Sequence, residues 1–510
     1  MDIFKQQLVH LLGTTSFWEW LFITLILMAF LLLGHRDFQK QIKKGVPPSA
    51  ANLLIMAGFF IIAGMRATPT GDEPHYLIMI QSLLGDGDFD LRNNYEEMNY
   101  LEYYPEAIPD PHVTIVGNKW YPVHGIGLPI LAAPFFAAAG RLGVVILLAF
   151  MTVAGLRILW SLIGSVGLSP KATSFTTLIV GFTLPLASLS GQVFPEVPSF
   201  LLVVLALRAI IASTLSSWNF VAFLFSLVLL PWLHSKYLLV SVALLICAAI
   251  VHRQKRPFPR LVIASGLFFA SAAGLVFLTY QWYGVPLPGV PILMAEAPFE
   301  ENWLNPLRGN FLVKPWVGLT GILFDQQNGL FMASPVFIMA IPGLVLLWQQ
   351  KSSLTIACAI IFASMYLPAG IFGVWYGGFS SPARLLTPTI PVLALGIASI
   401  LDMKKPRVWK FFSIFAVPSL LHAYLMLTLP SFTRYGDPIS HHNYFVSLVE
   451  RITQLDLTLL FPSFRNIGPT TWLTTCLYLL TIFVITMLLV PRKVVEQMKK
   501  VEHSTRAIYD

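Results

Sequence analysis

Gly71-Asp72-Glu73-Pro74-His75-Tyr76 sets two adjacent carboxylates directly after an apolar run. Acids at the mouth of a helix bundle are costly beside lipid, so they should face water, a cation or a substrate. A carboxylate held there could take a proton from an acceptor hydroxyl; a solvated loop entrance would look the same. Further along, Asp86-Gly87-Asp88-Phe89-Asp90 alternates Asp like the start of a calcium loop, and Glu97 stands at the closing position. Leu91 occupies the place where the sharp turn needs Gly, so a capped turn is the better reading. If a divalent cation binds here, Asp72 and Asp88 are the carboxylates that could share it.

Four more segments carry polar groups between apolar flanks. Phe194-Pro195-Glu196-Val197-Pro198 opens a span, and Glu196 could orient an acceptor, pair with a cation or stabilise a helix N-terminus. In Pro231-Trp232-Leu233-His234-Ser235-Lys236-Tyr237, His234 and Lys236 lie near membrane depth without an acid beside them. They suit an anionic lipid phosphate, or snorkelling to headgroups. Trp375-Tyr376-Gly377-Gly378-Phe379-Ser380-Ser381-Pro382-Ala383-Arg384 offers glycines that admit close backbone approach and a guanidinium fork matched to phosphate, or to a structural ion pair. Gln327 sits in a polar cluster, 323–331, that could line the same cavity.

The elements that must hold these residues are membrane spans. Of 510 residues, 56% are hydrophobic and 11% charged, with a mean hydropathy of +0.71; a soluble domain carries about 25% charged residues. Apolar runs without period-2 alternation predict an all-α polytopic membrane protein of about thirteen crossings. They fall near 17–34, 50–66, 143–165, 172–190, 197–213, 218–233, 237–251, 260–281, 334–350, 354–375, 385–401, 409–430 and 471–490. The apolar stretch Val123 to Gly140 is taken as re-entrant or interfacial, since a full crossing there would invert the loops that follow. No small-residue cleavage site follows the first run, so it is kept as a span.

The net charge of +8 is spread over short loops, His35 to Lys44, Arg253 to Arg260, Lys404 to Lys410 and Pro491 to Lys500, which speaks for a bilayer and against nucleic acid. Basic loops of this kind face the cytoplasm. The long loops 67–122, 282–333 and 431–469 are then external, and every chemistry-bearing segment opens to that one face. Loops so long are usually functional. Cys247, Cys358 and Cys476 lie inside apolar runs and predict neither disulfides nor a metal cluster.

Taken together, these motifs resemble the GT-C superfamily of membrane glycosyltransferases, in particular bacterial members similar to protein O-mannosyltransferases and to aminoarabinose transferases acting on lipid A. The resemblance runs over roughly residues 50 to 490 and rests on Asp72-Glu73, Tyr121-Pro122-Val123-His124-Gly125-Ile126-Gly127, the Phe-Pro-Glu turn, the Trp-Leu-His-Ser-Lys turn and the Gly-Gly segment before Arg384. It implies a glycosyltransferase in the plasma (inner) membrane, its site facing the extracytoplasmic side. Sugar would pass from a polyprenyl phosphate, typically with inversion, to a lipid, glycan or protein acceptor.

By the same resemblance Asp72 is the catalytic base, with Glu73 placing the acceptor or the base. The residues themselves suggest His234, Lys236 and Arg384 for the donor phosphate, and His75, Tyr76, His124, Glu196, Gln327 and Tyr376 for the acceptor or pocket wall. No cofactor is implied beyond that divalent cation. The organisation expected is an extra span with its basic loop (1–48), a GT-C-like catalytic domain (49–490) and a basic tail (491–510). The extra span and the lack of a large C-terminal external domain depart from the best-known members. A transporter or flippase of a lipid-linked anion could use the same cations, but it calls for broken helices in matching halves or a midplane charge relay. Arg157 and Arg208 are the obvious charges inside spans, and both could reach the inner interface. A phosphoethanolamine-type or ligase-type transferase would need a Ser or Thr nucleophile with metal ligands, or a different Arg and His pattern.

Overall fold

Backbone groups in lipid must be satisfied within their own segment, and the apolar runs accordingly form helices in the computed structural model of the chain. It describes residues 37–104, 111–212, 216–252, 258–286, 315–428, 450, 454 and 460–491. The expected first span, most of the loops 282–333 and 431–469, and nearly all of the basic tail lie outside the described residues.

Among the described residues seven helices are long and apolar enough to cross a membrane: Gly127–Ser165, Ser235–His252, Pro259–Tyr283, Ser352–Ile371, Arg384–Leu401, Pro406–Thr428 and Pro469–Leu489. Shorter apolar helices, among them Ala50–Arg66, Ser217–Leu233 and Pro335–Gln350, stand where the sequence predicts further spans. Two differences have local causes. The expected span 172–190 is divided into Pro170–Gly181 and Leu186–Leu189, because Pro185 lacks an N–H and turns its predecessor away from helix. Helix Pro315–Phe324 lies within the expected loop 282–333; its 10 residues are too few to read as a crossing.

Helix Gly127–Ser165 is broken where the interfacial stretch was expected to end. Ala139 (φ −152°) and Gly140 (φ 55°) leave helical geometry, and the chain resumes as helix at Arg141. At the centre, every residue of helix Ile390–Leu401 is buried, and Glu196–Ile211 is nearly so. By contrast helix Pro259–Tyr283 shows Val262, Leu267, Phe269 and Phe277 at the surface, as a lipid-facing helix does.

The described parts of two basic segments, 35–44 and 404–410, meet with Lys171 at one end of the bundle. Phe38 packs on Phe175, Phe175 packs on Trp409, Lys171 lies over Trp409 at 4.2 Å, and the Ser169 N–H donates to Asp402 Oδ1. Helix Ala50–Arg66 starts beside this end and finishes at the other, where Arg141 donates to the carbonyls of Gly64 and Ala67. The candidate functional residues gather at that second end.

Candidate functional site

Gly71 (φ +58°) turns the chain so tightly against the 377–380 segment that a Cβ would lie 2.4 Å from the Phe379 carbonyl oxygen. Only glycine fits there. The turn delivers Asp72 as the N-cap of helix Glu73–Gly85, yet its side chain makes no cap bond. Arg384 Nη1 donates to Asp72 Oδ2 at 2.8 Å, and Oδ1 lies 3.7 Å from His112 Nδ1. Burial alone would raise the Asp72 carboxyl; Arg384, with His124 and His112, outweighs it and holds the group far below the ordinary carboxylate range. Arg384 opens the buried helix at its positive dipole end, where a cation needs a partner. It also lies over the Phe194 ring at 4.8 Å.

His112 and His124 come from the two ends of an antiparallel hairpin, strands Val113–Val116 and Lys119–Pro122, with Val113 opposite Pro122. Gly117 (φ +62°) takes the first central position of its two-residue turn. The hairpin is pinned by the Trp120 N–H to Asp90 Oδ1 and by the Leu91 N–H to the Trp120 carbonyl, both 2.9 Å. The Val123 N–H donates to the His112 carbonyl, and His112 Nδ1 lies 3.0 Å from His124 Nε2. Burial pushes both imidazoles below their ordinary value, against the pull of Asp72, and His124 falls to about 3. His75 stacks on His112 and holds Tyr95 Oη through Nδ1 at 2.6 Å, while Tyr76 stacks on His124.

Beyond His124 the chain presses directly on the Trp232-to-Tyr237 turn. A Cβ on Gly125 would meet the Leu233 carbonyl at 2.3 Å, and one on Gly127 the Trp232 carbonyl at 2.7 Å. Lys236 Nζ donates to Glu196 Oε1 at 2.8 Å. Glu196 is wholly buried at the first turn of its helix, and among the described residues its Oε2 has no hydrogen-bond partner. His234 Nδ1 accepts the Lys236 backbone N–H, which caps the short turn of 3-10 helix. Burial, then Lys236, lower the His234 imidazole well below its ordinary value.

Glu73 turns the other way. Its wholly buried carboxylate accepts from Arg141 Nε at 2.8 Å, and Arg141 Nη2 also reaches the carbonyls of Gly64 and Ala67. The break at Ala139–Gly140 is what aims Arg141 inward. Burial raises the Glu73 carboxyl, with Arg141 opposing. The pair ties the end of helix Ala50–Arg66 to the start of helix Glu73–Gly85, next to Asp72.

Gln327 belongs to a supporting turn. Asp325 Oδ1 accepts the backbone N–H groups of Gln327 and Asn328, and Oδ2 accepts that of Phe464. The Asn328 carbonyl in turn accepts the Ala383 N–H, next to Arg384. Arg465 lies over the Tyr376 ring at 4.3 Å. Among the described residues no hydrogen bond joins Gln327 or Tyr376 to Asp72. Asp88 is likewise apart: its carboxylate accepts the Asp90 N–H within the 86–90 turn. The three cysteines are free, Cys247 and Cys358 buried and Cys476 exposed.

Asp72, Arg384, His75, Tyr76 and His124 are thus brought together, with Glu196, His234 and Lys236 packed alongside. Sequence reading missed His112 and Arg141. The Gly117-Asn118 pair between alternating residues signals the hairpin, which places residue 112 opposite 123; nothing local marks Arg141.

No family model matches the chain, and no curated protein does. Among solved structures, the crystal structure of ArnT from Cupriavidus metallidurans bound to undecaprenyl phosphate is similar over 86% of this chain and 71% of that one, at 14% sequence identity and a TM-score of 0.47.

Proposed function

We propose that the chain is a GT-C-type glycosyltransferase that moves a sugar from a polyprenyl phosphate to a hydroxyl-bearing acceptor on the extracytoplasmic face of the plasma (inner) membrane. The observation that carries this reading is the Asp72–Arg384 ion pair, with Lys236 packed beside it, all at the end of the bundle away from the described basic residues around Phe38, Lys171 and Trp409. A proton acceptor and two cations at one helix-bundle mouth suit an anionic lipid donor and a nucleophile together.

In the resting site Arg384 occupies Asp72. An arriving phosphate competes for the guanidinium, which binds its oxygens in planar fashion, and releases the carboxylate. Asp72 then takes the acceptor hydroxyl proton as the new bond to the anomeric carbon forms. The bond from that carbon to the phosphate oxygen breaks on the opposite face, with inversion. The electron pair leaves on the lipid phosphate, where Arg384 and Lys236 stabilise the charge. Glu73 acts through Arg141 by fixing the turn that carries Asp72. The acceptor is a lipid, glycan or protein hydroxyl that meets the His75, Tyr76 and His124 wall.

The test is transfer in membranes carrying the full chain, supplied with radiolabelled polyprenyl-phosphate sugars. Asp72→Asn should bind donor and transfer nothing. Full activity in that variant would remove the base.

A further inference from the structure

His112 Nδ1 and His124 Nε2 face each other at 3.0 Å, Asp72 Oδ1 lies 3.7 Å from His112 Nδ1, and the three donor atoms all fall within 4.8 Å of one another. We propose that Asp72, His112 and His124 bind a divalent transition-metal ion of the zinc class. At a metal distance of about 2.0–2.1 Å, tetrahedral donor atoms stand roughly 3.3 Å apart. Two of the three separations bracket that spacing and the third lies within 4.8 Å, so an ion enters by drawing the donors together. Two imidazole nitrogens and one carboxylate oxygen suit zinc, cobalt or nickel; magnesium and calcium favour all-oxygen shells.

A second observation is that groups outside the donor set fix the orientation of every donor. His75 stacks on the His112 ring at 3.7 Å and 12°, and Tyr76 stacks on the His124 ring at 4.8 Å and 29°. Arg384 takes Oδ2 of Asp72 and leaves Oδ1 turned to the imidazoles. Such outer contacts are what hold metal ligands in place. The donors come from two separate elements, the hairpin ends and the Asp72 turn, so the ion cross-links them. Three protein ligands leave a fourth position for water or a substrate oxygen. Only that last assignment rests on the transferase reading; binding of the ion does not.

The test uses the full chain purified in detergent, stripped with chelator and titrated with Zn2+, Co2+ and Mg2+ without substrate. Wild type should hold about one Zn2+ per chain and show the visible absorption of tetrahedral Co2+. Zn2+ should also raise its melting temperature. His112→Ala and His124→Ala should each weaken Zn2+ binding about 10- to 100-fold, and Asp88→Asn should bind like wild type. Should the alanine variants fail to fold, judged by circular dichroism, His124→Asn and the wild-type melting shift carry the test. A wild type that takes up no Zn2+, a preference for Mg2+, or a folded His112→Ala/His124→Ala variant that binds Zn2+ undiminished overturns the site. Metal-free protein that still transfers sugar overturns the open fourth position as a substrate site; metal-bound protein inactive on every donor leaves the ion standing and removes the transferase.

Discussion

Arg384 Nη1 donates to Asp72 Oδ2 across 2.8 Å, so the cation assigned to the leaving phosphate and the carboxylate assigned to the incoming hydroxyl neutralise each other before substrate arrives. Each is released by the partner of the other. Arg384→Gln should therefore lower kcat/KM for donor by about a hundredfold or more, read in steady-state kinetics with varied donor. Arg384→Lys keeps the charge and loses the planar fork, and should act mainly on donor KM. Equal kinetics for wild type and Arg384→Gln would detach the guanidinium from the reaction.

The Glu73–Arg141 pair makes a different kind of prediction, about stability. Arg141→Ala leaves a carboxylate wholly buried without its cation, a loss of about 3–5 kcal/mol for pairs of this kind. Glu73→Gln leaves Arg141 with the Gly64 and Ala67 carbonyls and should unfold less readily than Arg141→Ala. Thermal unfolding in detergent ranks the two. Per folded molecule Glu73→Gln should retain more transfer than Asp72→Asn, and the reverse order would give Glu73 the direct role.

Gly71→Ala should be damaging out of proportion to one methyl group. The position has φ +58° and the Cβ would stand 2.4 Å from the Phe379 carbonyl oxygen; backbone strain of this sort costs about 1–3 kcal/mol before the clash is counted. Because the same turn carries Asp72, transfer should fall with stability. Gly85→Ala, with no atom within 4 Å of its Cβ, is the control and should leave both unchanged. Matching melting curves for the two variants would sink the packing argument.

Asp325 supplies a pH dependence. Burial raises its carboxyl above the ordinary 3.8, against the N–H groups of Phe464, Asn328 and Gln327. A folded-state pKa above the unfolded one means that the folded chain holds the proton more tightly. The contribution is complete below 3.8 and is lost as pH rises through the folded value. Asp325→Asn should flatten that fall in melting temperature as pH rises above 3.8, while losing the acceptor for the Phe464 N–H. Superimposable pH profiles for variant and wild type would refute it.

Helix positions were legible because a bilayer leaves few alternatives: from helix Ala50–Arg66 to helix Pro469–Leu489, apolar runs became helices near their expected bounds. The division at Pro185 was visible in the chain but outweighed by the apolar length around it. In the site, Asp72 and Arg384 were readable as opposite charges at the ends of apolar runs. His112 was not, since its placement depends on strand register rather than on its own neighbours. Arg141 was illegible for another reason: only the break at Ala139–Gly140 decides which way it points.

Tyr283, the last residue of its helix, donates from Oη to the Pro122 carbonyl, and Trp282 stacks on Tyr121. A lipid-facing rod is thus latched to the strand that ends beside His124. A tilt of that rod with bilayer thickness would reach the hairpin, and with it the imidazoles, through this joint. The surrounding membrane therefore has a mechanical handle on the groups that surround Asp72.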